Sequence, residues 1–191
     1  MNTEYSFETG VFSGNYDILK NDRRVGFIKS SLFSRKATAE IDGKQYKFRD
    51  NRWLKPKTAE IFDASGNVIG KIKYDFDDDN DSIKDTKLAA FIKINDEISY
   101  WVQKGFSKDW KVHNPSGLNI LYSPLSYFST RGKIVANKEN GEKLLSGLYV
   151  IHSFAKWGYA MLAGGVIVII IIAAVLLFTN ISISDIFRWI F

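Results

Sequence analysis

The 191-residue chain has no cysteine, two histidines and three prolines. Without cysteine there are no disulfides, no thiolate metal ligands and no cysteine nucleophile. Two histidines leave little imidazole chemistry. His113 stands near Asp109 in sequence, but no G-x-S-x-G motif accompanies them. His152 lies in an apolar run, where a satisfied core histidine is the expected role. Little proline, with 46% hydrophobic and 25% charged residues, describes a folding chain rather than a disordered or collagen-like one. Residues 1–20 lack the basic n-region and apolar h-region of a signal peptide. Gly66 to Lys71 comes nearest to a phosphate loop, but it is one residue short between its glycines and has Ile72 where Ser or Thr would hold Mg²⁺. No cofactor and no catalytic residue is assigned, so the expectation is a non-enzymatic protein.

What the chain does have is one long uncharged run. No charged residue lies between Lys156 and Asp185, and Trp157 to Phe178 holds 19 apolar residues and three glycines in 22 positions. About 20 apolar residues at 1.5 Å rise cover the ~30 Å hydrocarbon core of a bilayer. In lipid a single segment satisfies its backbone only as a helix. The expectation is a single membrane span at 157–178, with Trp157, Tyr159, Phe178 and Trp189 as interfacial anchors and 179–191 as a short apolar tail in the interface. Lys138, Lys143 and Lys156 before the run, against Arg188 after it, favour a cytoplasmic N-terminal domain. A buried central helix of a soluble domain would be apolar all round too, which is the competing reading.

Residues 1–155 read as β throughout. Period-two stretches alternate with turn residues every 8 to 12 positions, the pattern of an all-β sandwich or barrel. Tyr46 and Phe48 share one face of 44–49, with Lys47 and Arg49 on the other. Twelve strands are expected, near 5–12, 15–20, 24–30, 36–41, 44–49, 58–63, 67–74, 87–95, 97–104, 109–113, 117–122 and 130–137. Asp42-Gly43, Ser65-Gly66-Asn67, Asn95-Asp96 and Asn140-Gly141 are the expected hairpin turns.

A turn followed by Gly and then alternating apolar and basic residues recurs, most clearly at Arg24-Val25-Gly26-Phe27-Ile28-Lys29 and Asn67-Val68-Ile69-Gly70-Lys71-Ile72-Lys73. With Asn15-Tyr16-Asp17-Ile18, Leu32-Phe33-Ser34 and Ile61-Phe62-Asp63-Ala64-Ser65-Gly66, the order over residues 5–155 resembles the tubby-like superfamily, which groups tubby C-terminal domains, plant LURP-one-related proteins and phospholipid scramblases. The resemblance implies a mainly β fold: a closed antiparallel barrel of about twelve strands around a central apolar helix. Residues 142–155 would be that helix, with 157–178 a separate membrane helix. The alternative makes 144–152 a last strand and 158–178 the plug of a soluble barrel.

Two charged segments stand out. Residues 75–85 carry six Asp, and Asp77, Asp79 and Asp81 have the spacing of a calcium loop. Ser82 stands where glycine is needed and Leu88 where the last glutamate belongs, so a solvated acidic loop outranks a calcium site. Residues 20–57 carry twelve basic against four acidic residues, more than the whole chain's net +5. Lys29, Arg35, Lys36, Lys47, Arg49, Arg52, Lys55 and Lys57 are the candidate headgroup ligands, each attracted to an anionic surface by about 1 kcal/mol. Tubby domains bind phosphoinositides, and the resemblance implies that ligand class. Nucleic acid ranks lower, because most of the interleaved aromatics alternate inward. The sequence therefore points to a single-pass, membrane-anchored β-barrel module touching anionic phospholipid. A scramblase-like lipid transporter and a soluble interaction scaffold are the alternatives.

Overall fold

Alternation of apolar and polar residues puts one face of each strand inside, and closing the sheet removes its exposed edges. The computed structural model describes residues 2–10, 14–31, 34–53, 56–74, 86–104, 109–125 and 131–156 and the single positions 158, 160 and 165, with backbone only at 86–89 and 104. Among the described residues there are twelve strands: β1 (Thr3–Thr9), β2 (Tyr16–Lys20), β3 (Arg23–Ser30), β4 (Lys36–Ile41), β5 (Lys44–Asp50), β6 (Thr58–Phe62), β7 (Val68–Tyr74), β8 (Thr86–Ile94), β9 (Glu97–Lys104), β10 (Trp110–His113), β11 (Asn119–Pro124) and β12 (Arg131–Ala136). Each pairs antiparallel with the next, and β1 pairs with β12 from Thr3↔Ala136 to Glu8↔Arg131, closing the barrel.

The turns at one end follow from local chemistry. Asp42-Gly43, Asn95-Asp96 and Asn21-Asp22 have positive φ at both central positions, the two-residue hairpin geometry that Asn, Asp and Gly tolerate. Asn21-Asp22 was not among the expected turns. Asn140-Gly141 was, and there the structure differs. Asn140 caps a helix: its Oδ1 accepts from Lys143 N at 3.0 Å and its carbonyl from Leu144 N at 3.0 Å. Asn serves turns and N-caps alike, so its identity alone does not separate them.

That helix, α1, spans 141–156. Leu145, Ser146, Leu148 and Val150 are wholly buried, on several sides of the helix, so strands surround it. Its contacts climb the barrel in order. Near its start, Glu142 accepts from Tyr46 Oη at 3.2 Å and Lys143 Nζ donates to the Glu97 carbonyl at 2.9 Å. Next to them, the Leu144 carbonyl accepts from Tyr122 Oη at 2.9 Å. Tyr149 then stacks on Phe48 with centroids 4.4 Å apart. Near the far end, His152 meets Tyr16 edge-on at 5.9 Å and Phe154 stacks on Trp101 at 5.4 Å. These partners come from β2, β5, β9 and β11, around the whole wall. Ala37, Ala39, Ala59, Ala90 and Ala136 face inward and leave the room α1 occupies.

The strand at 144–152 in the alternative reading is therefore corrected: those residues are helical and belong to α1, while nearly all of 158–178 lies outside the described residues. The chain divides into one compact unit, Met1–Lys156, and a second, Trp157–Phe191. Positions 158, 160 and 165 of the second unit are helical. Among the described residues no helix is long and apolar enough to cross a membrane, and nearly all of 157–178 lies outside them.

Gly147 reports on the packing of α1. In a free helix, Gly→Ala adds about 1 kcal/mol. Here a Cβ would overlap the Tyr122 hydroxyl and ring, and overpacking costs roughly 1–3 kcal/mol. Gly147→Ala is expected to lower the denaturant midpoint of the full chain in detergent; a higher midpoint would mean that α1 does not pack against Tyr122.

Candidate functional site

The outward faces of β4 to β8 carry an aligned row of charge. Cross-strand register sets one row as Lys36 (β4), Arg49 (β5), Glu60 (β6), Lys71 (β7) and Lys93 (β8). Like charges directly opposite one another destabilise a sheet, and this row has two such pairs, Lys36 with Arg49 and Lys71 with Lys93. Each pair has one acid beside it. Arg49 gives Glu60 Oε2 a forked contact, Nη2 at 2.6 Å and Nε at 3.2 Å, while Lys93 Nζ lies 2.8 Å from Asp96. Lys36 and Lys47 have no acidic partner among the described residues.

A groove of about 370 Å³ opens in this wall, lined by Lys36, Thr38, Lys47, Arg49, Phe62 and Gly66 among others. Its shape has a local cause: the β6–β7 register shifts between Ile61 and Phe62, and a bulge bends the strand and re-aims its side chains. Phe62 lies opposite Lys47 and beneath the Arg49 guanidinium, 4.9 Å from the ring centroid. Three cations around an apolar floor suit an anion attached to an apolar body. Arg can fork to an oxyanion, and Lys supplies point charge.

Of the sequence candidates, Lys36, Lys47 and Arg49 come together here. Lys29 is exposed on β3, 4.9 Å from the Phe27 ring. Arg35, Arg52 and Lys57 are exposed in the connections 31–35 and 51–57. Lys55, the anchors Trp157, Tyr159, Phe178 and Trp189, and Asp77, Asp79 and Asp81 lie outside the described residues. Sequence reasoning missed Lys71, Lys93, Glu60 and Phe62. Alternation already placed Lys71 outside, but only the strand register brings it into line with Arg49. Tyr46 and Phe48 are buried, as alternation requires, while Trp53 is exposed. His113 is half-buried against Tyr100 at 5.6 Å, and burial, with Lys111 nearby, lowers its pKa.

A second polar cluster is internal. Asp50 at the end of β5 is 2% exposed. It accepts from Tyr74 Oη at 3.3 Å and lies 3.7 Å from Lys156 Nζ. Tyr74 also meets Ser153 Oγ at 3.0 Å, and Lys156 donates to the Ser34 carbonyl at 2.6 Å. The last turn of α1 is thus clamped to β5, β7 and the 31–35 connection. Burial pushes the Asp50 carboxyl up to about 6, against the lowering influence of Lys156, Tyr149 and Tyr74. Burial, aided by Lys156, pushes His152 down to about 4, so it is neutral at pH 7, and its Nδ1 has no hydrogen-bond partner among the described residues.

Comparison of the chain with known protein families, characterised proteins and solved structures finds no match.

Asp50 gives a pH prediction. Its proton is held more tightly in the folded than in the unfolded chain, so its contribution favours folding most at low pH and is lost as pH rises through about 6. The stability of wild type relative to Asp50→Asn should fall by on the order of 2–3 kcal/mol between about pH 4 and pH 7. Thermal unfolding of both proteins across that range checks it; a difference independent of pH would contradict it.

Proposed function

We propose that this protein is a non-enzymatic barrel module held at a membrane by 157–178, and that its outer groove contacts anionic phospholipid headgroups. The observation that carries this reading is the meeting of Lys36, Lys47 and Arg49 around Phe62 in one groove. A phosphate would compete with Glu60 for the Arg49 fork, and Lys36 and Lys47 would supply charge with no acid among the described residues to displace. The resemblance to tubby-like domains suggests the same ligand class. The 22-residue run from Trp157 keeps its bilayer length, and α1 already fills the interior that would otherwise shelter it.

Orientation has a different basis from the one the sequence suggested. Lys143 and Lys156, counted as flanking charges, are buried in the barrel, and Lys138 donates to the Ser116 carbonyl at its opposite end. The exposed basic residues near Lys156 are Arg35, Arg52 and Lys57, close in space rather than in sequence. They favour the same cytoplasmic placement of the barrel.

The test is lipid retention by the full chain in nanodiscs of phosphatidylcholine and phosphoinositide. Wild type should hold phosphoinositide above its bulk fraction. Lys36→Glu, Lys47→Glu and Arg49→Glu together should cut that enrichment about tenfold or more, at roughly 1 kcal/mol per basic residue. Glu60→Gln should raise it by freeing the Arg49 fork. Equal lipid composition around all three proteins would overturn the headgroup reading.

A further inference from the structure

The two ends of the barrel differ in kind. At the end where α1 begins, the connections 21–22, 42–43, 63–67, 95–96, 114–118 and 137–140 contain no aromatic residue. The exposed apolar residues nearest that end, Val68 and Ile98, sit on strands rather than at turn tips. At the end where α1 finishes, the connections 10–15, 31–35, 51–57, 75–85, 105–109 and 125–130 each contain at least one aromatic. Two apolar side chains described there are exposed, Trp53 at 39% and Leu125 at 66%. Six strand steps separate β5 from β11 in the closed order, so these two residues stand on opposite sides of the rim. Arg35, Arg52 and Lys57 are exposed on the same rim. Lys156, clamped to Asp50 and Ser34, is the point at which the chain leaves this end toward its apolar run.

We infer that this rim is a lipid-contacting face, with Trp53 and Leu125 in the bilayer interface on either side of the chain's exit and Arg35, Arg52 and Lys57 at headgroup level. The occupant is a lipid surface because the exit leads directly into a run of bilayer length, and because cations flank the Trp53 tip, the pairing that interfacial segments use. Two apolar points on opposite sides of the rim set the barrel axis steeply to the membrane, which one tether could not do. Arg35, Arg52 and Lys57 belong to the connections between β3 and β6, so the cationic sector is on that side. This inference rests on the membrane reading above but makes a separate claim, about which face of the barrel meets lipid.

A chain without cysteine allows a clean test. Single cysteines at Arg52→Cys and Leu125→Cys on the rim, and at Lys44→Cys and Ser65→Cys toward the opposite end, carry a polarity-sensitive fluorophore. The full-length protein is reconstituted in phosphatidylcholine–phosphatidylserine vesicles with and without nitroxide lipids. Labels at 52 and 125 should be blue-shifted and quenched several-fold more than labels at 44 and 65. Equal quenching at all four sites, in protein that resists alkaline carbonate, would overturn the rim contact and leave the anchor standing. Release by carbonate would overturn the anchor and the rim contact with it.

Discussion

The structure depends on the mutual burial of α1 and the twelve-stranded wall. A closed sheet of about eight strands can fill its interior with its own side chains, and one of twelve cannot. Without a central element this wall would enclose a void or collapse. Nor is α1 self-sufficient, since Leu145, Leu148 and Val150 are wholly buried and an isolated helix of this length is marginal in water. Tyr122, Phe48 and Trp101 meet it from the wall, while inward alanines on β4, β6, β8 and β12 make space. Among the described residues the barrel has one interior, and α1 fills it. The later apolar run, 157–178, has the length of a bilayer span.

Polarity is distributed to match. The clamp of Asp50, Lys156, Tyr74 and Ser153 holds the last turn of α1 against β5 and β7, so the chain leaves the barrel at a defined point. A buried ion pair of this kind adds little net stability, because desolvation offsets the attraction. It does fix position, since losing either partner would strand the other charge. Lys143 plays the corresponding role at the other end, with its Nζ on the Glu97 carbonyl. Among the exposed cations, one group lies on the wall from β4 to β8 and another on the exit rim.

Much of the barrel was legible because its cause is local. Alternation in 44–49 or 87–95 announces a half-buried strand, and all twelve strands lie within about three residues of the expected ranges. Where one residue type serves two purposes, the reading failed: Asn140-Gly141 looks like a turn and is a helix start. Charge was legible as composition but not as geometry. Asp50 counted as one acid among twelve bases in 20–57, yet it points inward with Tyr46 and Phe48 on the same face of β5. Lys156 counted as a flanking charge and is buried. The groove was invisible, because Lys36, Arg49 and Glu60 are aligned by strand register and the Phe62 bulge, neither of which any single segment encodes.

Amide hydrogen exchange of the full chain in lipid nanodiscs, followed through added denaturant, tests the central claim most directly. If α1 is the barrel's core and the later run belongs to lipid, amides of 144–150 exchange in step with those of the strands, while amides of 160–176 stay protected after the barrel has unfolded. Protection of 160–176 that falls together with the strands, with 144–150 exchanging freely, would contradict it and make the later run the plug.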